Sequence, residues 1–134
     1  MKRKSLRRRG KQADYYAEHA EARREWAQGR PPLCMVCQGK PDWRGLAVHE
    51  IERRSHSRRS FTTANYLLVC SPCHEGPVAT MPHAMQLAYK LLRDPAHYDL
   101  PAWLALADPA GRAPLRVTAD DVEKILKIIR EALL

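Results

Sequence analysis

The sequence contains no apolar run that approaches the roughly 20 residues a membrane-spanning helix requires. Positive charges open the chain, but no apolar segment follows them, as one would in a secretory signal peptide. These two absences predict a cytoplasmic protein without membrane contact. In a reducing cytoplasm, cysteines serve as metal ligands more often than they form disulfides.

Acidic residues are missing from residues 1–11, whereas seven positive charges lie there. The formal net charge of the whole chain is +8, so about +1 remains for everything else. Such a block repels itself and buries little, which predicts a disordered basic arm. This basic arm is suited to bind a polyanion, because each phosphate contact releases counterions. The alternative is that the arm is only a solubilising tail. Its positive residues are Lys2, Arg3, Lys4, Arg7, Arg8, Arg9 and Lys11.

Apolar periodicity, prolines and glycines divide the rest of the chain into three segments. Residues 12–29 predict an N-terminal helix, because the run is rich in Ala, Glu and Arg and ends at a glycine. Residues 30–93 predict a zinc-stabilised core with a following helix. Residues 94–134 predict a connector with four prolines, containing at most a helical turn, and a C-terminal amphipathic helix. That helix could pack on the core, pair with a second copy, or bind a partner protein.

The core is predicted to be a small α+β domain. Residues 46–51 and 66–69 predict two short strands. Ser71 predicts the N-cap of a short helix that Gly76 ends. A further helix is predicted over residues 82–93. Its predicted apolar face comprises Met85, Leu87, Ala88, Leu91 and Leu92, and that of the last helix comprises Val122, Ile125, Leu126, Ile129 and Leu133.

Two Cys-x-x-Cys pairs, Cys34 with Cys37 and Cys70 with Cys73, predict one structural zinc ion. Two-residue spacing lets both thiolates of a pair reach the same tetrahedral ion. The pairs are separated by 32 residues, which is longer than the roughly 15–20 residues of an ordinary zinc ribbon. An insert therefore lies between the two halves of the zinc site.

The insert contains the sequence VHEI at residues 48–51; an Asn stands five residues before the second Cys pair, and a His follows that pair directly. This order, over about residues 34–75, resembles the HNH endonuclease family, the zinc-stapled form of the ββα-metal nucleases. The resemblance implies an HNH core in which a β-hairpin and a helix grip one divalent ion. It also implies hydrolysis of DNA phosphodiester bonds, by a protein of a bacterium or a phage-infected host, often encoded by phages or mobile elements.

The resemblance assigns roles to four residues by position. His49 and His74 become ligands of the catalytic ion, which could be Mg²⁺, Mn²⁺, Ni²⁺ or Zn²⁺. Glu50 takes the place of the general base, where the family usually has His, and Asn65 the place of the Asn that orients the base. Because adjacent strand residues point to opposite faces, three alternatives stay open: Glu50 is the base, Glu50 binds the metal while His49 is the base, or the site only binds DNA.

Two functions follow from this pattern. The first is a metal-dependent HNH endonuclease that acts on double-stranded DNA. The second is a catalytically inactive, zinc-stabilised DNA-binding protein on the same scaffold. We expect no specific role for His19, His83 or His97. In addition to the basic arm, four arginines are predicted to contact DNA phosphates: Arg53, Arg54, Arg58 and Arg59.

Overall fold

The structure is a computed structural model that describes residues 17–39, 45–52, 62–107 and 117–134. The predicted DNA-contacting residues, in the basic arm and between residues 53 and 59, lie outside these ranges. The chain divides into two compact units, Met1–Pro31 and Pro32–Leu134. Among the described residues, no helix combines the length and apolar character needed to cross a membrane.

The first unit contains helix α1, which is described over residues 17–28. Trp26 is buried. The amide of Gly29 donates a hydrogen bond of 3.2 Å to the carbonyl of Trp26, in the turn where the helix ends. The start of the predicted helix lies outside the described residues.

The second unit is built around a two-stranded antiparallel sheet. Strand β1 spans Leu46–Glu50 and strand β2 spans Tyr66–Cys70, with Val48 opposite Leu68 and Glu50 opposite Tyr66. All five residues of β2 are buried, whereas in β1 only His49 is buried. β2 is therefore covered on both faces, which explains its continuous apolar sequence.

Two short helices follow the hairpin, α2 at Ser71–Glu75 and α3 at Pro77–Thr80. The predicted N-cap was one residue late, because Cys70 is the N-cap and Ser71 already lies inside α2. A Cβ atom at Gly76 would lie 2.9 Å from the carbonyl oxygen of Pro72, so this close turn requires glycine. The order strand, strand, helix gives a small ββα-like α+β domain.

Three longer helices complete the second unit: α4 at His83–Arg93, α5 at Leu100–Ala107 and α6 at Ala119–Ala132. Helix α6 packs against α4. Helix α5 is longer than the predicted turn, because Pro101 lies in its first turn, where a missing N–H costs little. The capping box at Thr118 and Asp121 is confirmed. On the predicted apolar face of α6, Val122, Leu126 and Ile129 are buried, Ile125 is half-buried and Leu133 is exposed.

The buried face of α4 differs from its predicted apolar face. Gln86 and Lys90 are buried together with Leu87 and Ala88, whereas the other predicted members are only half-buried. Residues four apart share one face of a helix, and this face meets the hairpin. The Nζ atom of Lys90 donates a hydrogen bond of 2.8 Å to the carbonyl of Tyr66 in β2.

Lys90 also forms a buried ion pair with Asp94, at 2.8 Å and with both side chains 0% exposed. The second carboxylate oxygen of Asp94 lies 2.8 Å from Nδ1 of His97. Removing one partner of a buried pair is costly, because the other charge stays buried without it. This cluster therefore fixes α4 against β2.

We expect Lys90→Ala to lower the free energy of unfolding by about 3–5 kcal/mol, measured by urea denaturation with zinc in excess. The matched control is Lys124→Ala, which removes another i,i+4 lysine–aspartate pair, at 2.9 Å, whose side chains are 73% and 70% exposed. The control should leave the urea midpoint unchanged, since an exposed pair is screened by solvent. Equal shifts in the two variants would contradict this account of α4.

Candidate functional site

The four cysteines lie close enough together to bind a metal ion such as zinc. Their sulfur atoms all lie within 4.8 Å of one another. The Sγ atoms of Cys37 and Cys70 are 3.8 Å apart, and tetrahedral zinc with bonds of about 2.3 Å places its sulfur ligands roughly 3.8 Å apart. Four thiolates would fill the coordination shell, so a metal ion here is structural and not catalytic.

The first cysteine pair is shaped by a tight turn. Gln38 adopts the left-handed conformation, with φ of 59°. Its backbone N–H and its side-chain Nε2 donate to the carbonyl of Cys34, at 2.8 and 2.9 Å. The amides of Cys37 and Gly39 point at cysteine sulfurs, at 3.5 Å from Cys34 Sγ and 3.3 Å from Cys37 Sγ. Such N–H groups stabilise the thiolate form that binds metal.

Met35 connects this turn to β2. The amide of Met35 donates to the carbonyl of Leu68 at 2.8 Å, and the amide of Leu68 donates to the thioether sulfur of Met35 at 3.1 Å. Both residues are buried. The first cysteine pair is thereby held beside the end of β2, where the second pair begins.

Three thiols of the cluster, those of Cys34, Cys70 and Cys73, have pKa values shifted from the ordinary value. Burial raises the pKa of Cys73 and of Cys70, and for Cys73 the neighbouring cysteine side chains raise it further. Burial also raises the pKa of Cys34, but backbone N–H groups around its sulfur outweigh burial and lower the pKa to about 7. Four adjacent thiols can ionise together only with a cation among them, which is the environment that zinc supplies.

A second group of polar side chains surrounds a cavity of about 210 Å³. His49 from β1 and His74 from α2 meet there, with ring centres 5.3 Å apart and ring planes at 68°. An ion bound at about 2.1 Å by one nitrogen of each ring lies roughly 3 Å from each ring centre. The separation of the two rings therefore allows them to share one ion.

The glutamate that lines this cavity is Glu52 and not Glu50, the residue to which the resemblance assigned the general base. The polar lining of the cavity consists of His49, Glu52, His74, His83 and Gln86. Glu50 does not line this cavity among the described residues. It is half-exposed, and in a pleated strand its side chain leaves the sheet on the face opposite to that of its neighbour His49.

Asn65 holds the backbone of Glu52. Its Oδ1 atom accepts hydrogen bonds from the amide of Glu52 at 2.7 Å and from the indole Nε1 of Trp103 at 3.1 Å. Its Nδ2 atom donates to the carbonyl of Glu52 at 3.1 Å. The side chain is fully buried, so it fixes the chain where β1 ends. Asn65 therefore bonds both backbone groups of Glu52.

His83, for which we expected no specific role, lies beside the same carboxylate. Its Nε2 atom is 3.8 Å from Oε2 of Glu52, and its ring packs edge-on against Trp103 at 5.2 Å. Of the other two histidines without an expected role, His97 bonds Asp94 in the buried cluster, away from the cavity lining. Neither sequence spacing nor composition indicated that His83 and Glu52 would meet.

Gln86 connects His49 to the backbone just before α4 through two hydrogen bonds. Its Oε1 atom lies 2.7 Å from Nε2 of His49, and its Nε2 atom donates to the carbonyl of Met81 at 2.8 Å. The sequence offered one signal for this residue. Gln86 and Lys90 stand four apart in an otherwise apolar stretch of helix, so they share one face. Both side chains are buried, and buried polar side chains have hydrogen-bond partners.

Within the described ranges, the four cysteines form the one group of three or more His, Cys, Asp or Glu side chains with ligand atoms this close together. An ion shared by His49 and His74 would have two nitrogen ligands from the described residues, and the rest of its shell would come from water or a bound phosphate, as is usual for Mg²⁺. Such a shell leaves open positions, in contrast to the cysteine cluster.

The chain matches no family model, no curated protein and no solved structure with which it was compared.

Proposed function

We propose that the protein is a metal-dependent HNH-type endonuclease that hydrolyses phosphodiester bonds of double-stranded DNA. The observation that supports this most directly is the pair of imidazoles, His49 and His74, that meet edge to face in the lining of a polar cavity. His74 directly follows Cys73 in the chain, so a zinc ion in the cysteine cluster would also fix the histidine. A structural metal would then hold the site rigid beside the reacting groups.

His49 and His74 are the proposed ligands of the catalytic divalent ion. When bound, such an ion supplies a Lewis acid that stabilises charge on the scissile phosphate and on the leaving oxygen. The two histidines, one on β1 and one on α2, would hold it, and a phosphate would enter from the cavity that they line. This use of two elements matches the ββα order of the domain.

Glu52 is the proposed general base, in place of the residue at the family position. Its carboxylate lines the cavity, and its backbone is held on both the N–H and C=O sides by Asn65. A base must lie within hydrogen-bond reach of the water it deprotonates, directly or through one further water. The role of Asn65 is accordingly to position the base by fixing its backbone.

DNA is the proposed substrate because the charge of the chain favours a polyanion. The formal net charge is +8, and most of it is concentrated in the first eleven residues. Phosphate contacts made by such an arm carry no sequence information. We therefore propose that the enzyme binds duplex DNA with little sequence preference, through the arm and the arginines between residues 53 and 59.

The test is nicking of supercoiled plasmid by the zinc-bound protein in the presence of Mg²⁺, Mn²⁺ or Ni²⁺. We expect EDTA to stop the reaction, and His74→Ala to slow it by more than about 100-fold, beyond the range typical of residues that only support a ligand. The control is Ser71→Ala, in the same helix as His74 but outside the cavity lining, which should cut at the wild-type rate.

Intact DNA binding without nicking under any of the three metals would favour the inactive DNA-binding scaffold instead. Nicking that is equally fast in His74→Ala and in the wild type would place the reaction somewhere other than this cavity. A band-shift measurement on every variant separates loss of binding from loss of cleavage.

A further inference from the structure

We infer that Gln86 is a positioning residue, which fixes the tautomer of His49 and so selects Nδ1 as the nitrogen that binds the ion or accepts a proton. The functional part of this inference rests on the proposed nuclease activity. The tautomer itself can be measured whether or not the protein cuts DNA.

The orientation of the Gln86 amide is determined by its other partner. Met81 offers a backbone carbonyl, which can only accept, so the group 2.8 Å from it must be the amide nitrogen of Gln86. The amide oxygen then faces Nε2 of His49 at 2.7 Å. Both side chains are buried, Gln86 at 4% and His49 at 7% exposure.

An amide oxygen has no proton to give, so Nε2 of His49 must be the donor. In a neutral imidazole the other nitrogen, Nδ1, then carries the lone pair. Metal-binding histidines commonly donate their second ring N–H to a carbonyl or carboxylate, which sets the tautomer and ring orientation. The carbonyl of Met81 thus acts on His49 through a chain of two hydrogen bonds.

Helix α4 holds Gln86 in place through Lys90, on the same face. Lys90 bonds the carbonyl of Tyr66 on β2, while Gln86 bonds His49 on β1. One helix face therefore contacts both strands of the hairpin. A merely structural hydrogen bond could be made with either ring nitrogen protonated, but an oxygen fixed by Met81 accepts only from a protonated Nε2.

The first measurement is long-range ¹H–¹⁵N NMR of the histidine rings in the full-length, zinc-bound protein without another divalent ion. We expect the His49 ring to carry its proton on Nε2 in the wild type. Gln86→Leu removes the acceptor and should produce a mixture of tautomers. Gln86→Glu keeps an oxygen acceptor for Nε2, and its second carboxyl oxygen, when protonated, still donates to the carbonyl of Met81, so Nε2 should keep its proton. The dispersed amide spectrum and zinc content of each variant show that it has folded.

The second measurement is plasmid nicking by the same variants. Loss of an outer partner of a metal-binding histidine typically costs about 10- to 100-fold in activity or metal affinity, so we expect that loss in kcat or in the Mn²⁺ concentration giving half-maximal rate for Gln86→Leu. KM for DNA should not change. Gln86→Glu, which keeps the acceptor that Gln86→Leu lacks, should recover most of the activity.

A wild-type His49 protonated on Nδ1 would overturn the inference, as would a Gln86→Leu variant with unchanged tautomer and unchanged kinetics. The outcome for the proposed function is separate. If the ring carries its proton on Nε2 but the wild type never nicks DNA, the tautomer assignment stands and the nuclease proposal fails. If the wild type nicks DNA but both Gln86 variants match it, the nuclease stands and Gln86 has no positioning role.

Discussion

Removing the structural metal is expected to unfold the second unit of the protein. A metal ion in the cysteine cluster would join the turn at Cys34 and Cys37 to the strand–helix junction at Cys70 and Cys73. In zinc-finger peptides the apparent free energy of zinc binding is about 10–16 kcal/mol. That is similar in size to the whole stability of a typical domain, about 5–15 kcal/mol. The hairpin and α2 should therefore not persist without zinc.

The measurement is far-UV circular dichroism before and after chelation, with the zinc content determined on the same samples. We expect the folded signal to be lost with the metal and restored by added Zn²⁺ but not by Mg²⁺. Lower pH should favour metal loss, because protons compete for the thiolates. Cys70→Ser should bind less than one equivalent of zinc and melt at a lower temperature.

The matched control is Ser71→Ala, the residue next to Cys70, whose hydroxyl contacts only Glu75 in the described structure, at 3.5 Å. This variant should keep its zinc and its melting temperature. A metal-free wild type with an unchanged spectrum and melting temperature would show that the cysteines are not the source of stability.

The second large effect is expected from a pair of glutamates two residues apart. Glu52→Gln should slow plasmid nicking by about 10²- to 10⁴-fold, the range for a general acid or base, because the amide cannot take the proton from water. Glu50→Gln should have a much smaller effect, because Glu50 does not line the cavity. Both variants keep the size of the side chain and change the same charge, so each controls for the other.

The reverse result, an inactive Glu50→Gln and an active Glu52→Gln, would return the base to the family position. DNA binding and zinc content should be the same in the two variants. A loss of activity in both, with DNA binding preserved, would indicate that the two carboxylates act together on the ion or on its bound water.

The parts of the fold that were predictable from the sequence depend on local patterns. The cysteine spacing indicated the metal cluster, because both ligands of a pair lie in one turn. Two short apolar runs indicated β1 and β2, and the capping box at Thr118 located the start of α6. Each of these features is decided within a few residues of the chain.

The remaining features depend on contacts between distant segments. Gln86 and Lys90 lie outside the predicted apolar face of α4, and their role emerges only once α4 lies against the hairpin. Glu52 and His83 stand 31 residues apart and meet at the cavity. Pro101 suggested a break in helical structure, yet α5 begins there and supplies the indole that bonds Asn65. The spacing of residues along the chain does not indicate which distant side chains come into contact.

The hydrogen bonds between Asn65 and Glu52 also affect which part of the protein can vary in length. They join Glu52 to the short helical turn at Thr63–Asn65, so one side chain fixes these two described parts of the chain relative to each other. Once the ends are fixed, doubling the length of a connection costs only about 0.6 kcal/mol of closure entropy. Under the proposed function, the intervening arginine-rich sequence could therefore lengthen, shorten or be exchanged, changing the phosphates that it contacts while the residues of the cavity keep their positions.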